Sequence, residues 1–156
     1  MLDTPFSDLN RYISYFRRVE FPVLRKTVKQ LALLHEDEDK LSAREIAAVV
    51  ADDPLMALKL LIYQQRNRGQ SQNHDITTAE RAVMMIGMTQ FFARFGDLPT
   101  LEGILAAHPK ALIGVLKVIA RAKRAAHYAR DWAIVRHDID IEEITLATLL
   151  NEVAEI

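Results

Sequence analysis

The chain of 156 residues contains no cysteine. That removes disulfides, thiolate metal sites and cysteine nucleophiles together, and it fits a reducing compartment. Long apolar runs are missing too. Lys59 interrupts the strongest one, so no segment approaches the roughly 18 to 20 residues of a membrane span. Met1 to Arg18 carries Asp3 and Asp8 and has no compact apolar segment ahead of a small-residue cleavage site, unlike a signal peptide. These absences predict a cytoplasmic chain with no membrane association. Neither sign of charge is in excess, 20 basic residues standing against 21 acidic ones, so no global field points to nucleic acid or to an acidic surface. The five glycines form neither a P-loop nor a dinucleotide fingerprint, and no serine sits in a glycine-flanked elbow.

What is present is helix. Half of the residues are hydrophobic, enough for one domain with a real core. Apolar and polar residues do not alternate over any useful length, and no Asn-Gly or Asp-Gly hairpin signal occurs, so the predicted fold is all-α. A first helix is predicted from Thr4-Pro5, with Tyr12, Ile13, Tyr15 and Phe16 as its sticky face. Phe21-Pro22 starts a second, in which Leu24, Val28, Leu31 and Ala32 recur at helical spacing, and His35 to Lys40 is a solvated connector. Ser42 and Glu45 form a capping box for a third helix, and Asp53-Pro54 opens a fourth. A polar loop, Arg66 to Asp75, leads to a second capping box, Thr77 with Glu80, and a helix ending at Ile86-Gly87. Shorter pieces at Thr89 to Phe95 and Leu101 to Ala106 follow. Pro109 opens the longest helix, reaching about Trp132 or Ala133, with a buried stripe of Leu112, Leu116, Ile119, Ala122, Ala126, Ala129 and Ala133. Its alanine end implies close approach by a last helix from Ile141, capped by Asp140 with Glu143.

Several of these motifs stand in a recognisable order: Phe21-Pro22-Val23-Leu24, then Ala51-Asp52-Asp53-Pro54, then Ala57-Leu58-Lys59-Leu60-Leu61, then Ile76-Thr77-Thr78, Ala82-Val83 and Ile86-Gly87. Over about two-fifths of the chain this resembles the HDOD domains, helical signalling modules related to the HD phosphohydrolases but lacking their catalytic metal ligands. The resemblance implies a single HDOD-like bundle over residues 1–156, with 1–20 outside the matched core and a C-terminal end that reads as truncated. In the catalytic relatives the first His should fall near Arg121 or Ala122, and a His-Asp pair within Leu149 to Val153. Neither place holds a His, and Asn151 and Glu152 make a poor divalent site. The resemblance therefore implies no catalytic residues, no metal and no cofactor, and a regulatory role through another protein or domain, a homodimer included. The alternative is a divergent HD-type hydrolase whose ligands lie outside this sequence.

Few side chains stand out as candidates for chemistry. His137-Asp138 falls in the turn before the last helix without a second His at ligand spacing, so a turn and cap role is expected. His35, His74, His108 and His127 form no i, i+4 pair on one helical face. Met84, Met85 and Met88, close to Phe91, Phe92 and Phe95, read as core. One face remains: Lys117, Arg121, Arg124, Tyr128 and Trp132 lie on the long helix opposite its apolar stripe, cations followed by aromatics at helical spacing. Such a face suits an acidic partner, a phosphate-bearing ligand or single-stranded nucleic acid. The competing reading has the charges solvated, the aromatics packed beneath neighbouring helices, and the acidic segment after His137 neutralising the cations within the fold.

Overall fold

Local signals set most of the helix starts. A computed structural model of the chain describes residues 7–11, 14, 20–36, 41–67 and 78–155, and these are all-α. The elements run α1 (Arg25–Glu36), α2 (Ala43–Ala51), α3 (Pro54–Arg66), α4 (Ala79–Ile86), α5 (Met88–Phe95), α6 (Leu101–Ile104), α7 (Pro109–Arg136) and α8 (Ile141–Leu150), then a 3-10 turn at Val153–Glu155. The one β-type feature among the described residues is an isolated parallel bridge between Val23 and Thr100. Of the helix expected from Thr4-Pro5, residues 9–11 and 14 are helical, while its start and Tyr12, Ile13, Tyr15 and Phe16 lie outside the described residues, as do most of the loop after Arg66, His74 and Thr77.

The Ser42 hydroxyl accepts from the Glu45 amide at 3.3 Å while the Glu45 carboxylate accepts from the Ser42 amide at 2.9 Å, closing the predicted capping box. Asp140 accepts from the amides of Glu142 and Glu143 and starts α8 as expected. Several boundaries differ: α1 begins at Arg25, beyond Phe21-Pro22, and α8, expected to run to Ile156, ends at Leu150. The residue capping α4 is Thr78, whose hydroxyl accepts from the Arg81 amide at 3.3 Å; Glu80 then falls one position too early to close a box and contributes its charge to the first turn instead. The α7 helix continues to Arg136, because nothing in Ile134-Val135-Arg136 breaks it. It stops at His137, which takes a left-handed conformation (φ 51°), and the Arg136 guanidinium bonds both carboxylate oxygens of Asp138 just beyond. Gly87 joins α4 to α5 at φ 80°, ψ 149°, an extended mirror-image conformation that only glycine adopts at low cost.

The larger core cluster combines Leu31 of α1, Ile46 and Val50 of α2, Met56 and Leu60 of α3, Val83 of α4, Phe91 and Phe95 of α5, and Leu146 and Leu149 of α8. Phe91 meets Phe95 at 5.0 Å between ring centres, and Tyr63 approaches Phe95 edge-on at 5.4 Å. A smaller cluster gathers Leu24, Leu55, Leu101, Leu105 and Ile119. The inward residues of α1 are Thr27, Val28, Leu31 and Leu34, as expected of Val28 and Leu31, whereas Ala32 is exposed. The phenylalanines are core as expected, but Met84 and Met85 are exposed and only Met88 packs inward. The inward face of α4 is Ala79, Ala82, Val83 and Ile86, which leaves positions 84 and 85 to solvent.

Asp53 joins the start of α3 to the lead-in of α1. It is completely buried; one carboxylate oxygen accepts from the Leu24 amide (2.8 Å) and the Thr27 hydroxyl (2.7 Å), the other from the amides of Leu55 (3.0 Å) and Met56 (3.3 Å). Next to it, Val23 donates to the Pro99 carbonyl and accepts from the Leu101 amide, fixing α6 against the same segment.

Candidate functional site

The inward stripe of α7 is Leu112, Val115, Ile119, Ala122, Ala126, Ala129 and Ala133, in steps of three and four. Val115 takes the place expected of Leu116, which is exposed. The large residues of the N-terminal half fill the smaller core cluster, and the alanines of the other half let α8 lie close. This packing fixes the rotation of the helix about its axis. The opposite side, with Lys117, Arg121, Arg124, Tyr128 and Trp132, is thereby turned outward.

All five are exposed. Trp132 is 77% exposed, Tyr128 66% and Val135 77%. Burial beneath neighbouring helices, the competing expectation for the two aromatics, does not occur. Val135 was hidden from sequence reasoning because the helix was expected to end at Ala133. Two turns beyond Tyr128 and three residues from Trp132, it extends the aromatic part of the same stripe.

The cations divide into two kinds. Arg121 is held by Glu152 and Glu155 of the C-terminal turn, which hydrogen-bond its guanidinium and raise its already high pKa, Glu155 contributing most. The neutralising role expected of the acidic segment is thus realised at this one residue. Lys117 and Arg124 have no side-chain hydrogen bond or ion pair among the described residues. Lys123, one step off the stripe, pairs instead with Asp52, which also binds Lys26 at 2.8 Å.

Other places offer less. A groove of about 400 Å³ runs between α2 and α8, with Ala47, Ala51 and Leu146 inside it. Its rim carries Arg44, Arg130, Glu80 and Glu142, two charges of each sign, so no single ligand chemistry is favoured. Lys59 is largely buried in α3; burial lowers its pKa, and Glu20 at 3.4 Å opposes that shift. Among the described residues no three His, Asp or Glu side chains gather to share a cation. His137 and Asp138 serve the turn after α7, the first by its backbone and the second by its pairing with Arg136. No described helix is long and apolar enough to cross a membrane. No family model, curated protein or solved structure matches the chain.

Proposed function

We propose that the chain is a non-catalytic regulatory module of HDOD-like type, acting by binding a protein partner through the outer face of α7. The observation that carries this reading is the exposure of Tyr128, Trp132 and Val135 in one row. An indole is among the side chains most strongly driven out of water, and an exposed aromatic and apolar row flanked by Lys117 and Arg124, which have no ion pair among the described residues, suits an interface centre with a polar rim.

The non-catalytic half of the reading draws on Arg121. The resemblance to HDOD domains sets the first metal ligand of the related hydrolases near Arg121 or Ala122, and their His-Asp pair within Leu149 to Val153. The Arg121–Glu152 ion pair joins those two places. A guanidinium there opposes a divalent cation by its own charge.

The test is an assay of purified chain for phosphodiesterase and nucleotidase turnover with magnesium and manganese present. No turnover above the protein-free blank is expected, and metal-dependent turnover that survives repurification would overturn the reading. A second reading, binding of single-stranded nucleic acid, is favoured by the same sequence of cations and aromatics. It requires a salt-dependent oligonucleotide isotherm that Arg124→Glu abolishes.

A further inference from the structure

The stripe on α7 has a direction as well as a side. From its N-terminal end it reads Lys117, Arg121, Arg124, then Tyr128, Trp132, Val135, cations first and aromatic or apolar groups last, in steps of three and four. We infer that the partner on this face is a second copy of the chain, its α7 lying antiparallel across the first about a two-fold axis level with Ala126. The inference rests on the binding-module reading above.

An isologous interface requires a patch that is its own complement under a two-fold rotation. This stripe meets that condition. Rotation about position 126 sets Arg124 opposite Tyr128 of the second copy, Arg121 opposite its Trp132 and Lys117 opposite its Val135, and symmetry makes each pair twice. The midpoints of all three pairs fall at or within half a residue of position 126. Arginine over tyrosine or tryptophan is the favourable cation–π geometry, and it strengthens as the exposed rings lose water. Arg121 can take part while still held by Glu152 and Glu155, because a planar guanidinium bonds carboxylates along its edge and stacks on an indole with its face. A parallel pairing would instead set Arg124 on Arg124 and Lys117 on Lys117, which is repulsive. An acidic partner of another kind would answer Lys117 and Arg124 but gives no reason for the matched cation and aromatic halves.

The absence of cysteine makes the register directly measurable. In the inferred pair, Lys117 of one copy faces Val135 of the other, whereas the two Lys117 positions lie about 27 Å apart, far beyond disulfide reach. Mild oxidation of a mixture of Lys117→Cys and Val135→Cys chains should give the cross-linked dimer, and either variant alone should give none. Sedimentation of the unaltered chain should show twice its 17.8 kDa mass, and Trp132→Ser should weaken the dimer about tenfold or more. Cross-linking of either variant with itself overturns the antiparallel register. A single-chain mass at the highest attainable concentration overturns the second copy, and without metal-dependent turnover it leaves the binding-module reading standing. Metal-dependent turnover ends that reading whatever the mass.

Discussion

Asp52 and Asp53 share a chemistry and a peptide bond but stand in opposite surroundings. Both oxygens of Asp53 are saturated by buried donors: three backbone amides and the Thr27 hydroxyl. Removing that side chain strands all four in a dry core, where each unsatisfied group costs on the order of 1–3 kcal/mol before any relaxation. Asp53→Ala is therefore expected to lower the unfolding free energy by about 4 kcal/mol. Asp53→Asn should lose about 2–3 kcal/mol, because its amide nitrogen would meet donors with another donor. Asp52 is partly exposed, and water screens its two lysine pairs, so Asp52→Asn should cost about 0.5 kcal/mol. Urea unfolding of the three variants at pH 7 measures the order. An Asp53→Ala loss as small as that of Asp52→Asn would show that the buried carboxylate does not hold the α1 lead-in onto α3.

At the scale of elements, the α7–α8 pair depends on small side chains. Ala126 is buried beneath α8, so Ala126→Leu must either push the helices apart or strain its rotamer, at about 2 kcal/mol. Ala120 lies on the same helix in solvent, and because leucine and alanine have similar helix propensity, Ala120→Leu should stay within about 0.5 kcal/mol. Equal melting temperatures for the two variants would mean that α8 is not seated on the alanines. This pairing was legible in the sequence because an apolar stripe narrowing to alanine admits only close approach. The starts at Ser42, Asp53-Pro54, Pro109 and Asp140 were legible because a cap is made within four residues of itself. Thr77 and Thr78 could not be separated, since a threonine at either position has the chemistry of a helix cap. The outward turn of Met84 and Met85 depends on which neighbours α4 finds, and the pairing of Arg121 with Glu152 and Glu155 spans 31 and 34 residues, so neither leaves a local mark. For the candidate site, helical period gave five residues on one face. Their exposure was decided by where α8 and the smaller core cluster pack, and the sixth, Val135, by a helix that no local breaker stopped.

For the molecule as a whole, Asp52 is a junction, since the residue capping the end of α2 bonds Lys26 of α1 and Lys123 of α7. Burial alone would raise its pKa, but the hydrogen bonds and charges of Lys123 and Lys26 outweigh burial and hold it below its ordinary 3.8. A carboxylate whose pKa is lower folded than unfolded leaves the unfolded chain binding more protons. Its stabilisation is therefore complete above the unfolded value and is lost as pH falls below about 3.8 and through the folded value. Glu45, bonded by the Ser42 amide and hydroxyl, and Asp138, bonded by Arg136, are shifted in the same direction and act with the same sign. The melting temperature is thus expected to hold between pH 7 and pH 5 and to fall below pH 4. Asp52→Asn, slightly less stable at pH 7, should fall less steeply, so that its curve approaches that of the unaltered chain at pH 3. Glu45 and Asp138 keep some of the slope in the variant. Parallel curves down to pH 3 would mean that the bond from Asp52 to the two lysines does not persist in solution, and that α7 is held to α1 and α2 by apolar packing alone.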